Sequence, residues 1–203
     1  MRITHLRWRQ GVIWSVAGAG ALALVGGLAA FDAPLAHSGG DSVFLHRLVD
    51  VFEIVTAKSW SEFILPGALT LIGGALLAAK RAVAGRAFLY VALVQLLAYL
   101  ASDLSKPQFG RLRPYEALAE GGADRWFVGA NSFPSGHVAF FAGFVVPLIV
   151  LVPRSWPLIV VPLMVVLQRV LSADHYLSDV GAAFLIVGVA ARLLLPIAPR
   201  PLR

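Results

Sequence analysis

Long apolar stretches alternate along the chain with short polar or basic ones. Residues 11–31 form an uncharged run rich in Ala, Gly and Leu, long enough to cross the hydrocarbon core of a bilayer. Further runs follow at 63–79, 87–102, 138–152, 156–171 and 180–195. Several are short, so their helices are expected to extend a turn or more past the strictly apolar part. The pattern predicts an all-α integral membrane bundle of six transmembrane helices, one embedded domain covering 1–203. The first run also has marks of a signal peptide: Arg2, Arg7 and Arg9 precede it, and the Ala-rich stretch 27–36 offers small residues for cleavage. Its apolar length exceeds the signal core of about 7–15 residues, so a retained first span is expected. Between the first two spans, Phe44, Leu48, Val51, Phe52 and Val55 recur at helical spacing, with His46, Asp50 and Glu53 turned away. Residues 42–58 thus read as an amphipathic helix, lying along the interface or packed on its own bundle.

Composition supports the membrane reading. Apolar residues make up 59% of the 203 and charged residues 14%, against roughly 45–50% and about 25% in soluble domains. A soluble enzyme, a disordered chain and a disulfide scaffold are excluded, and with no cysteine there is no thiolate nucleophile or thiolate metal site. The net charge of +6 and pI near 10.3 fit cytoplasmic loops and anionic lipid headgroups. With the N terminus inside, Arg2, Arg7, Arg9, Lys80, Arg81, Arg86, Arg154, Arg192, Arg200 and Arg203 all fall on the cytoplasmic side, as the positive-inside rule asks. An even span count returns the C terminus there.

The basic residues left outside gather mainly in two places: the segment 106–114 after the third span, with Lys106, Arg111 and Arg113, and the connection around Arg169 that leads to the last span. Cations kept outside against the topological preference call for an anion, of which lipid headgroups are the simplest. A second segment, Pro134-Ser135-Gly136-His137, stands where the long outer loop enters the fourth span. The free amides of a helix N terminus bind anions, and Gly136 permits close backbone approach; Ser135 is equally suited to be a plain N-cap. In the third segment His175 and Asp179 are four apart and share a face if the stretch is helical. An aspartate that fixes one imidazole nitrogen leaves the other as nucleophile or base. A helix-capping aspartate beside an interfacial histidine is the alternative.

Together the three segments resemble the type 2 phosphatidic acid phosphatase superfamily of integral membrane lipid phosphatases. Its signature runs Lys-x6-Arg-Pro, Pro-Ser-Gly-His and Ser-Arg-x5-His-x3-Asp. Lys106, Arg113 and Pro114 match the first part, Pro134 to His137 the second, and Arg169, His175 and Asp179 the third. Gln168 departs from the pattern at the usual serine, which puts that side chain's contact in doubt. The resemblance implies catalytic roles for His175 as nucleophile, Asp179 as the group that orients its ring, and His137 as acid and then base. It implies phosphate binding by Lys106, Arg113, Ser135, Gly136 and Arg169. It also implies catalysis with no metal and no cofactor.

The implied activity is hydrolysis of a lipid phosphomonoester or pyrophosphate on the outer face of a bacterial cytoplasmic membrane. Candidate substrates are undecaprenyl pyrophosphate, phosphatidylglycerol phosphate, phosphatidic acid and lipid A 1-phosphate; nucleic acid is not an expected partner. A lipid phosphotransferase using the same histidine would carry the same motif, and a non-catalytic lipid transport protein would need the cations without an oriented nucleophile. Arg111 and Asp174 lie between signature positions, where they hold the loop or touch the headgroup. His5, His37 and His46 match no motif. Trp8, Trp14, Trp60, Trp126 and Trp156 mostly fall near span ends and read as an aromatic belt. The loop 115–132 is either a lid or a plain connector.

Overall fold

A computed structural model describes Gly26, Leu28, Ala29, Asp32 and residues 58–199. Those four N-terminal positions are helical; the rest of the expected first span and the amphipathic segment before residue 58 lie outside the described residues. The chain then runs through α1 (Lys58–Ala78), α2 (Ala82–Phe109), α3 (Pro114–Ala119), α4 (Gly136–Leu151), a 3-10 segment (Pro153–Ile159), α5 (Val160–Leu171) and α6 (Leu177–Leu194). The described residues are all-α, as the hydropathy pattern predicts. Three stretches are long and apolar enough to cross a membrane: Ala82–Ala119, Pro153–Leu171 and Leu177–Leu194. Phe63–Ala78 and Gly136–Leu151 are apolar but shorter.

The helices pack through small side chains. One core cluster joins Tyr90, Val94 and Ala98 of α2 to Ala142 and Leu151 of α4 and to Val187, Ala190 and Ala191 of α6. A second joins Val138 and Ala139 of α4, Val165 of α5, and Val180 and Ala183 of α6. Large apolar side chains point outward instead: Leu71, Leu104, Trp156 and Leu193 are each more than 60% exposed. This inside-small, outside-large arrangement suits a lipid solvent, which gives helices no hydrophobic reason to associate and rewards close backbone approach. A Cβ on Gly143 would lie 2.9 Å from the Gln95 Cα, so α4 and α2 touch backbone to backbone there. The Tyr90 hydroxyl donates to the Ala191 carbonyl at 3.0 Å, tying α2 to α6.

Helix ends set the position of the polar residues. The apolar run that predicts the third span stops at residue 102, but α2 continues to Phe109 and carries Lys106 in its last turn. It stops at Gly110, which is left-handed at φ 51 and donates its N–H to the Lys106 carbonyl at 2.8 Å. No side chain fits there, because a Cβ would lie 2.9 Å from the Gly129 nitrogen. Lys106 therefore stands on a rigid helix, where the sequence pattern places it in a loop.

Candidate active site

All three polar segments meet at one end of the bundle. Lys106 closes α2, His137 sits in the first turn of α4, Arg169 in the last turn of α5, and His175 and Asp179 flank the start of α6. Backbone hydrogen bonds fix the segments to one another. Ser135 N–H donates to the Asp179 carbonyl at 3.2 Å, Tyr115 N–H to Ala173 at 3.1 Å, and both Asp174 and His175 N–H to Arg169 at 3.1 Å. The tight turn this requires puts Ala173 at φ 56. The connection from α5 to α6 is thus folded back on the arginine that begins it.

The cations converge through shared partners. Asp174 accepts from Arg169 at 2.9 Å and from the Ser172 hydroxyl at 2.8 Å, while Arg113 stands 3.5 Å from its other oxygen. A guanidinium nitrogen of Arg169 also contacts His137 Nε2. Lys106 reaches the start of α4, where a Cβ on Gly136 would lie 3.2 Å from Nζ. Glycine keeps that space open. Ser135 is the N-cap of α4, but its hydroxyl makes no capping bond; it is buried and has no hydrogen-bond partner among the described residues. The plain N-cap alternative therefore does not describe this serine.

His175 and Asp179 come together although His175 precedes α6. The Nδ1 of His175 stands 3.5 Å from Asp179 Oδ2, a charge contact longer than a formed hydrogen bond, and Nδ1 has no nearer partner among the described residues. Burial holds His175 below the ordinary histidine pKa; Asp179 opposes that shift, and the nearby charges of Arg113 and Arg169 add to it. Asp179 also accepts the Tyr176 N–H at 2.9 Å, so it caps α6 as well as facing the ring. The helix-capping reading of this aspartate therefore holds, and the same carboxylate also stands beside the histidine.

Arg111 has a larger place than the sequence discloses. It is 1% exposed and spans three carboxylates: Asp124 at 3.0 and 2.8 Å, Asp179 Oδ1 at 2.5 Å and Asp32 at 2.9 Å. It also donates to Ser178 Oγ at 2.7 Å. Its guanidinium carbon lies 4.4 Å from the Trp126 ring centroid and 3.8 Å from that of Tyr176. Asp32 receives the Ser178 N–H at 3.0 Å and contacts the Ser178 hydroxyl. Ser132 Oγ donates to Asp179 Oδ2 at 2.6 Å. Among these residues the sequence draws attention to Arg111, Asp179 and Trp126, the last as a belt residue. Gln168, at the family's serine position, has both amide atoms buried without a hydrogen-bond partner among the described residues.

Two histidines and a set of cations at one end of a helical membrane bundle are the chemistry of an anion site. Residues 87–202, more than half of the chain, match the family model of the PAP2 superfamily, and the chain belongs to that superfamily. Membership implies activity of the lipid phosphatase type, on lipid phosphates held in a membrane; the superfamily's phosphatases are generally metal-independent. No curated protein and no solved structure matches the chain.

Proposed function

We propose that the protein hydrolyses a lipid phosphomonoester or pyrophosphate through a phosphohistidine formed on His175. The observation that carries this reading is the arrangement around Arg169. That one buried cation touches His137 and Asp174, its charge is felt at His175, and His175 in turn faces Asp179. A bare anion-binding site would need the cations without the second, carboxylate-backed histidine.

In this reading Asp179 holds the Nδ1 proton of His175, and Nε2 attacks phosphorus. The P–N bond forms as the P–O bond to the lipid breaks. His137, protonated at the start of this step, gives a proton to the departing lipid oxygen. It then takes a proton from the water that attacks the phosphohistidine, which releases phosphate and frees His175. Lys106, Arg113 and Arg169, with the Ser135 hydroxyl and the Gly136 amide, surround the equatorial oxygens where charge spreads in phosphoryl transfer. The open space at Gly136 beside Lys106 and the unpartnered Ser135 hydroxyl support that assignment.

Six spans, cytoplasmic termini and an outward-facing site complete the proposal. A second set of basic residues lies at the other end of the helices: Lys80 and Arg81 before α2, Arg154 after α4 and Arg192 at the end of α6. The positive-inside rule then turns the site outward. The test is phosphate release by the detergent-purified protein from undecaprenyl pyrophosphate, phosphatidylglycerol phosphate, phosphatidic acid and lipid A 1-phosphate, with EDTA present. Release from one of them is expected, and loss of at least 99% of it in His175→Ala. A variant that keeps more than a few per cent of turnover removes His175 as the nucleophile.

A further inference from the structure

Arg111 is the most heavily bonded side chain at this end of the bundle, and no step above uses it. Each atom of its planar fork is assigned. Nε and one terminal nitrogen grip Asp124, that same nitrogen reaches Asp32, and the other holds Asp179 Oδ1 and Ser178 Oγ. The rings of Trp126 and Tyr176 lie within cation–π distance of it. Such a residue has no solvent-exposed donor to offer a substrate. What it does hold is one oxygen of the carboxylate that faces the proposed nucleophile.

We propose that Arg111 is a positioning residue: it locks the Asp179 carboxylate in the orientation that presents Oδ2 to His175, with Asp32 and Asp124 as the anions that hold the guanidinium in place. The inference rests on the phosphohistidine reading. Asp179 can rotate about the bond to its carboxylate, and the Ser132 hydroxyl and Tyr176 N–H both bind Oδ2, the oxygen that also faces the ring. A donor on Oδ1 is what fixes the plane, and Arg111 supplies it at 2.5 Å. The bidentate grip of Asp124 and the contact with Asp32 keep the guanidinium from following Asp179 if the carboxylate turns. Asp124 belongs to the loop between α3 and α4, which gives part of that connector a specific task.

The experiment compares two anions on the purified full chain. Inorganic phosphate needs only the cations, whereas orthovanadate, which takes the five-coordinate geometry of the transition state, also needs a bond to a correctly aimed His175. Arg111→Gln is expected to weaken vanadate at least tenfold and to leave phosphate binding within threefold of wild type. Arg111→Lys, which keeps the charge but not the fork, should fall between the two. In an Asp179→Asn background, Arg111→Gln should cost vanadate no more than a further twofold, because its effect runs through a carboxylate already removed. Parallel loss of phosphate and vanadate in both Arg111 variants, as from a disrupted fold, or fully multiplicative losses in the double variant, overturns the positioning role. If His175→Ala binds vanadate as tightly as wild type, the phosphohistidine reading itself fails.

Discussion

Asp179 serves four neighbours with two oxygens. It caps α6 through the Tyr176 N–H, accepts the Ser132 hydroxyl, pairs with Arg111 and faces the His175 ring. A helix N terminus is where a carboxylate is most easily kept in one rotamer, since the cap and the helix dipole both favour it there. The same residue in the first turn of the last helix thereby faces the histidine just ahead of it. His175 is neutral over a wide range because burial, Arg113 and Arg169 all disfavour its charged form. On the acid side, activity should be lost as pH falls through that lowered value, so the acid limb of kcat/KM lies below the ordinary histidine range. Arg113→Gln removes one of the opposing charges and should move the limb to higher pH, whatever it does to the rate; a pH–rate profile on one substrate for both proteins checks this. A limb that stays put belongs to another group. The signature residues were legible because each motif is short and contiguous. The pairings of Arg111 were not, since Asp32, Ser178 and Asp179 lie 79, 67 and 68 residues from it along the chain, and nothing in the sequence links them to it.

The α-helices show where hydropathy is informative and where it ends. Apolar runs located the described spans because a lipid-facing helix must be apolar along most of its length. They misplace helix ends because a helix that leaves the hydrocarbon keeps its hydrogen bonds and can carry Asp103 and Lys106 without losing them. The end of α2 is set instead by the left-handed Gly110. Hydropathy is equally silent on which faces meet, a matter decided by small residues. Gly143→Val would push a side chain against the Gln95 backbone and should destabilise the α2–α4 contact by about 1–3 kcal/mol, the usual cost of overpacking. Thermal unfolding in detergent reads this as a lowered Tm, whereas a wild-type Tm would mean that the two helices separate at no cost.

For the whole molecule, the sorting of charge is the feature to test. One end of the bundle holds the histidines with their cations and carboxylates, and the other holds Lys80, Arg81 and Arg154. The absence of native cysteine makes the orientation directly measurable. With the proposed topology, Gly121→Cys should react with a membrane-impermeant maleimide on cells whose outer permeability barrier is opened. Arg154→Cys should react only after lysis. The reverse pattern would put the site on the cytoplasmic face.

The bond between Asp32 and the Ser178 N–H spans 146 residues. At synthesis rates of about 5–20 residues per second, roughly 7–30 s separate the emergence of those two partners from the ribosome. During that interval Asp32, and later Arg111, are in place without the serine and aspartate they will hold. The proposed nucleophile and its carboxylate arrive last, at the threshold of α6. A nascent chain halted between Arg169 and His175 would hold the proposed phosphate-binding lysine and arginines without the proposed nucleophile, so in the proposed reading competence begins only when the last helix is seated.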